Sequence, residues 1–208
     1  AMASPSYTLQ QNVMGTQQVM EAVLEAENRY HTIQRVVVQS SESVYGHSFP
    51  GKIAEDATLN PTNIYGASKA AQELVARSYY HAHKMPVTII RSSTLYGVGG
   101  RLNQVIPIFL RQALQNKPIT IHGDGKQSRD FNFVSNAVDG ILLALTTDAA
   151  TGDVFNIAGD NEISILDLAR KCIEVTGSSS QISHTPQRPG EQDLHLTPDI
   201  SHAREVLA

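Results

Sequence analysis

Asn63-Ile64-Tyr65-Gly66-Ala67-Ser68-Lys69 opens an apolar-periodic segment that continues through Ala70, Ala71, Leu74, Val75, Ala76 and Tyr79, with no proline before Pro86. The spacing predicts a helix over about 64–82 in which Tyr65 and Lys69 stand one turn apart on one face, about 5–6 Å between their Cβ atoms. A free phenol titrates near ~10 and is a weak base at neutral pH, whereas an ammonium beside it favours the phenolate and makes the pair a proton-transfer device. The same spacing occurs on ordinary amphipathic helices, where it is structural, so the reading rests on what flanks it.

Toward the amino terminus, Val13, Met14, Val19, Met20, Val23 and Leu24 recur at helical spacing and predict a helix over Leu9 to Glu27. Arg35-Val36-Val37-Val38-Gln39 is a short apolar run of the kind found in strands buried on both faces. It ends in Ser40-Ser41-Glu42-Ser43-Val44-Tyr45-Gly46, polar residues at the carboxyl end of a strand, where open α/β sheets place their sites. The stretch from His47 to Pro61 reads as a loop, and Pro86 to Arg91 as a second buried strand. Helix, strand, helix, strand in this rhythm implies right-handed crossovers and a parallel sheet.

Beyond it, Ser92 to Gly100 reads as a loop, 103–115 as a helix and 118–122 as a strand. Gly123 to Asp130 is a polar turn leading into Phe131-Asn132-Phe133-Val134, with Ser135 or Asn136 capping a helix that runs to about Leu145. Val154 to Ile157 is a short strand. Ser164 opens a helix ending near Gly177, with Asp167 at the capping-box position. The remainder is loop-rich and closes with a short helix over 200–207.

Composition narrows the function classes. The 208 residues suffice for one domain with a sizeable core, or a large domain and a small appendage. A net charge of -4 and sixteen scattered Lys and Arg argue against a nucleic acid polymer as partner. No apolar run approaches the ~18 residues needed to span a bilayer, and the first residues have no basic head before an apolar stretch. A cytoplasmic protein with no membrane partner is expected. The single cysteine, Cys172, fits a reducing compartment and lies in a helical apolar pattern as a small core residue.

Two glycine clusters and eight histidines invite ligand readings that their spacing does not support. In Gly97-Val98-Gly99-Gly100, Ser92 to Tyr96 intervene between strand and glycines, and Gly123-Asp124-Gly125 has no helix behind it, so neither is a phosphate cradle. His81 and His83 face different ways on a helix, and no metal is expected.

Six stretches in fixed order carry a family resemblance: Asn12 to Thr16, Ser40 to Gly46, Tyr65 to Lys69, Arg91 to Gly97, Gly123 to Val134, and Arg188-Pro189-Gly190-Glu191. Together they resemble the extended short-chain dehydrogenase/reductases, specifically the NAD-dependent nucleotide-sugar epimerases and dehydratases. The resemblance implies a partial Rossmann-like, doubly wound parallel sheet with a smaller carboxy-terminal α/β region. Residues 1–95 would be the second half of an NAD-binding domain, and 96–208 a mixed substrate-binding region with one returning sheet strand and helix. It implies that Tyr65 takes the proton from a sugar hydroxyl as hydride moves to NAD. Lys69 would hold the nicotinamide ribose and depress the tyrosine pKa, Ser41 would bond the same sugar oxygen, and Ser40 would touch the cofactor. Glu42, Thr94, Arg129, Arg188 and Glu191 would face the nucleotide-diphosphate sugar, Arg129 at the diphosphate and Arg188 and Glu191 at the nucleotide.

Three departures shape what is expected. The G-x-x-G-x-x-G turn that seats the NAD pyrophosphate in the family does not occur before Asn12. The Asp-Glu pair that dehydratases place after Ser or Thr is replaced by Glu42-Ser43, which disfavours dehydration, and the usual asparagine two residues before Tyr-Gly is Thr94. The leading expectation is therefore an epimerase, or a related oxidoreductase, acting through transient oxidation at the sugar's C4. A truncated, catalytically silent relative used as a binding or assembly module is the first alternative, and a 4,6-dehydratase or decarboxylase the second. Surplus apolar surface on the helices over 9–27 and 64–82 predicts a homodimer through that pair.

Overall fold

The computed structural model describes residues 4–46, 51–187 and 195–207. Its main sheet has the order β1 (Val36–Ser41), β2 (Val87–Ser92), β6 (Val154–Ile157), all parallel. Side chains alternate across β2. Val87 and Ile89 meet Met20, Ala76 and Met85 on one face of the sheet. Ile90 meets Ala144, Phe155, Ala203 and Leu207 on the opposite face. Helix α1 comprises an α-turn Pro5–Leu9, a π-turn Gln10–Met14 and the long stretch Gly15–Tyr30. Helix α2 spans Ile64–His83, and α4 (Val134–Thr146) and α6 (Ser201–Leu207) cover the other face.

The rest has a core of its own. Phe109 and Ala113 of α3 (Val105–Leu114) pack on Ile119 and Ile121 of β4 (Ile119–His122) and on Leu168, Ala169 and Cys172 of α5 (Ile165–Thr176). Two small sheets frame it. In one, β5 (Ser128–Phe133) lies between parallel β3 (Thr94–Tyr96) and antiparallel β7 (Glu162–Ser164). In the other, β4 pairs with β8 (Ile182–Thr185).

The parallel sheet, the order of helices and the strand that returns to it agree with the sequence reading, and several boundaries do not. Helix α1 begins at Pro5 rather than Leu9, because proline suits a first helical turn that needs no donor. Strands β3 and β8, expected as loop, and the first residues of β5, expected as a turn, exist because a partner strand holds them. None has an apolar alternation long enough to announce it. Helix α4 is not capped by Ser135 or Asn136: the extended residue before it is Phe133, and no side chain caps it. Strand β1 is half-buried along Val36 and Val37 rather than buried on both faces, since among the described residues only β2 pairs with it. Capping of α5 agrees with the sequence: Ser164 Oγ accepts from the Asp167 amide at 3.0 Å, and Gly177 closes the helix at φ 61°. Among the described residues no helix is long and apolar enough to cross a membrane.

Candidate active site

Strand β1 delivers Ser41 in extended conformation, and its Oγ accepts from the Ser43 amide at 3.2 Å, capping a 3-10 turn over Glu42–Val44. The first turn of α2 sits directly on that turn. Asn63 Oδ1 caps the helix by accepting from the Gly66 amide at 2.9 Å. A Cβ on Gly66 would lie only 2.3 Å from the Ser43 carbonyl oxygen, so glycine is what allows the approach. Gly46 is required for a second reason: at φ +79° it passes so close to Asn60 that a Cβ would stand 1.7 Å from the Asn60 oxygen. Tyr-Gly and Tyr-Gly thus bring the start of α2 to the carboxyl end of β1.

Tyr65 is 40% exposed at that junction, and its hydroxyl makes no hydrogen bond among the described residues. Lys69, one turn on, is 8% exposed and its Nζ donates to the Gln39 carbonyl on β1. Burial lowers the Lys69 pKa, and the Glu73 carboxylate opposes that shift. The bond to Gln39 uses one of the three ammonium protons and fixes Nζ at the carboxyl end of β1.

Behind this junction lies a buried polar network that the sequence reading missed. Arg91, 1% exposed, donates through Nε and Nη2 to Glu73 at 3.0 and 2.8 Å. Its Nη1 reaches the Tyr45 hydroxyl at 3.0 Å and the Glu55 carbonyl at 2.8 Å, and Tyr45 donates to Asn156 Oδ1 at 2.7 Å. Burial pushes the Tyr45 phenol up to about 12, against the pull of Arg91. The Ser40 hydroxyl, expected to face a cofactor, donates to Glu73 within this network. The signal was present: an arginine closing an apolar strand must find a counter-charge, and Glu73 continues the Tyr65–Lys69 face by one more turn.

The opposite wall belongs to β3 and β5. A cavity of about 370 Å³ is lined by Thr94, Gln112, His122, Gln127, Arg129 and Phe131, among others. Arg129 Nη1 donates to the Ser128 carbonyl at 2.7 Å. Asp130 is fully buried and accepts from Ser93 Oγ and the Gly159 amide, both at 2.6 Å, which locks β5 to the ends of β2 and β6. Glu42 is 5% exposed; its Oε1 and Thr94 Oγ1 share a hydrogen bond at 3.1 Å, and its Oε2 is buried with no hydrogen-bond partner among the described residues. Burial pushes the Glu42 carboxyl up to about 8; the Thr94 bond and Arg129 pull it down, and Asp130 adds to the rise.

Arg188 and Glu191 lie outside the described residues. Among the described residues no group of His, Cys, Asp or Glu is placed to hold a metal ion. Cys172 is buried in the second core, and burial raises its thiol pKa.

A parallel sheet covered on both faces, with polar side chains at the carboxyl ends of β1 and β2, defines a Rossmann-like α/β protein. The model of the NAD dependent epimerase/dehydratase family matches residues 1–158, and the chain belongs to that family. It is 33% identical over 196 residues to the uncharacterized UDP-glucose epimerase YtcB of Bacillus subtilis, covering 94% of this chain and 60% of that one. Among solved structures it resembles the UDP-glucuronic acid 4-epimerase of Bacillus cereus in complex with UDP-glucuronic acid and NAD, with TM-score 0.86, 32% identity, and 96% and 62% of the two chains covered. It also resembles the dTDP-glucose 4,6-dehydratase DesIV of Streptomyces venezuelae with NAD and TYD bound, with TM-score 0.88, 29% identity, and 99% and 62% covered. The chain spans between 47% and 60% of the length of the first curated relatives it matches.

Proposed function

We propose that this chain works in an NAD-dependent nucleotide-sugar epimerase, or a related oxidoreductase, that oxidises the sugar transiently at C4. What supports the reading is the junction of β1 and α2, where the first turn of α2, which carries Tyr65, packs at Gly66 on the Ser43 carbonyl just after Ser41, and where Glu42, in the 3-10 turn with Ser43, is hydrogen-bonded to Thr94 of the cavity that Arg129 also lines. Tyr65, the most exposed of the three, takes the proton from the C4 hydroxyl and returns it. Ser41 hydrogen-bonds the same oxygen, and Lys69 supplies positive charge beside the phenol. When bound, NAD accepts the C4 hydride and gives it back. Arg129 faces the diphosphate, with Arg188 and Glu191 on the nucleotide side.

The residues present fit one end of a dinucleotide. Tyr65 and Lys69 offer polar contacts to a nicotinamide ribose at the carboxyl end of β1, as does the main chain of Ser40, whose hydroxyl is committed to Glu73. Among the described residues no glycine turn at a helix N-terminus offers the N–H groups a pyrophosphate needs. Residues 1–95 then form the cofactor-side unit and 96–208 the substrate side. A 4,6-dehydratase is the second reading, favoured by the buried acid Glu42, but Ser43 leaves elimination without its base.

The test is conversion of UDP-glucose, UDP-glucuronic acid and dTDP-glucose with NAD, followed by chromatography, on this chain and on the chain joined to a relative's amino-terminal βαβ unit. Epimer formed by the joined protein supports the reading, and no product with any of the three sugars sinks it. The 208-residue chain alone is expected to bind NAD weakly or not at all. Micromolar binding by calorimetry would show that the cofactor seat lies elsewhere.

We also infer a homodimer. Helices α1 and α2 pack side by side, with Asn12 Nδ2 donating to Ser68 Oγ and Gln72 Nε2 to Thr16 Oγ1, each at 2.8 Å. Outward they leave Val19 at 55% and Leu74 at 65% exposed, a surface suited to pairing with its own copy. Leu74→Glu is expected to halve the mass seen by light scattering at tens of micromolar while leaving the circular dichroism intact. A wild-type monomer, or a variant that stays dimeric, would refute this association.

A further inference from the structure

Glu42, in the 3-10 turn after β1, and Thr94, at the start of β3, are 52 residues apart in sequence and are joined by one hydrogen bond. Both were noted as departures from the family's pattern, and the fold makes them neighbours. Thr94 lines the 370 Å³ cavity; Glu42 stands behind it, with Oε2 buried and without a partner. The charged groups that face Glu42 are Asp130 and Arg129, both from β5, while β3 presents Thr94. Asp130 accepts from Ser93, Gly159 and Asn161, and Glu42 Oε2 has no hydrogen-bond partner among the described residues. A carboxylate in that position would hold a charge whose one buried oxygen has no donor, the costliest way to bury the group.

We propose that Glu42 is a positioning residue that stays a neutral acid and donates its own proton to the Thr94 hydroxyl, so that the Thr94 proton points into the cavity as a hydrogen-bond donor. The inference rests on the reading of that cavity as the substrate site. The placement of the proton follows from the unpartnered oxygen. A proton on Oε2 would be a buried donor with nothing to bind, whereas a proton on Oε1 meets Thr94 Oγ1 at 3.1 Å and leaves Oε2 as an idle acceptor, the cheaper of the two defects. Thr94 has one proton. When Glu42 is neutral that proton is available to an acceptor oxygen of a ligand; when Glu42 ionises, the Thr94 hydroxyl turns to the carboxylate and shows the cavity only lone pairs. The site therefore selects an acceptor oxygen at Thr94 below the Glu42 transition and loses that preference above it.

The experiment uses the 208-residue chain with methyl and carboxyl carbon labels. Without ligand, the Thr94 methyl and the Glu42 carboxyl signals are expected to titrate together with a midpoint near 8. Glu42→Gln should silence the Thr94 titration, since a neutral amide holds one arrangement at every pH. With UDP-glucuronic acid as the probe in calorimetry, the wild-type chain is expected to lose about tenfold in affinity between pH 6.5 and 9.5, the worth of one hydrogen bond, and Glu42→Gln to be flat over that range. A Thr94 methyl that ignores the Glu42 titration overturns the proposal, and so does a Glu42→Gln variant that keeps the wild-type pH dependence. Absence of nucleotide-sugar binding at every pH would instead count against the cavity as a substrate site, and the ligand-free titration would still decide the coupling.

Discussion

Glu73→Ala is expected to cost about 3–5 kcal/mol of stability, enough to unfold much of a marginally stable domain at ordinary temperature. The reason is the company Glu73 keeps rather than the strength of any one contact. Its carboxylate accepts from Arg91 Nε and Nη2 and from the Ser40 hydroxyl, and both ends of the ion pair are almost fully buried. Removing it strands a guanidinium that cannot be neutralised, because arginine does not give up its proton in proteins. The double change Glu73→Leu with Arg91→Met should recover much of the loss, since a well-packed apolar pair removes the uncompensated charge. Urea unfolding followed by circular dichroism measures both. A Glu73→Ala loss below about 1 kcal/mol, or a double variant less stable than Glu73→Ala, would show that the network is not what seats α2 on β1 and β2.

Tyr65→Phe is expected to reduce turnover by on the order of 10²–10⁴-fold in protein that converts nucleotide sugars, with affinity for the sugar nucleotide retained. The substitution removes one oxygen and keeps the ring. No hydrogen bond of the fold is lost with it, because the Tyr65 hydroxyl has no partner among the described residues. A fall in turnover with unaltered melting temperature therefore separates chemistry from structure, which the same test on Lys69 could not do: its Nζ is bonded to the Gln39 carbonyl. Unaltered turnover in Tyr65→Phe would remove Tyr65 from the reaction.

Tyr65, Lys69 and Glu73 occupy one helix face at three successive turns, and the Tyr65 hydroxyl has no hydrogen-bond partner among the described residues. Tyr65 points to solvent at the carboxyl end of β1, Lys69 binds the strand, and Glu73 faces the buried side of the sheet. This gradation from exposed to buried along a single face gives α2 two tasks. Its first turn presents chemistry, and its second and third hold the helix in register with β1 and β2.

Much of this was legible in residue order. The apolar runs at Val36–Val38 and Val87–Ile90, the helical periodicity between them and the short strand at Val154–Ile157 determine a parallel sheet covered on both faces, because period and length leave few other ways to bury those side chains. Asn63, Ser164 and Gly177 mark helix ends by local hydrogen bonding and backbone freedom, and such signals survive without tertiary context. What needed the folded chain depends on distant partners. Strands β3 and β8 are held by ladders to β5 and β4 and have too few residues to carry a periodicity of their own. The protonation of Glu42 is set by burial and by Thr94, Asp130 and Arg129, none of them near it in sequence. The bonds of Ser40 to Glu73 and of Lys69 to the Gln39 carbonyl also join residues that are far apart in sequence. Sequence spacing says which side chains share a face; which of the polar atoms on that face find one another is decided by desolvation, and desolvation exists only once the chain has closed around them.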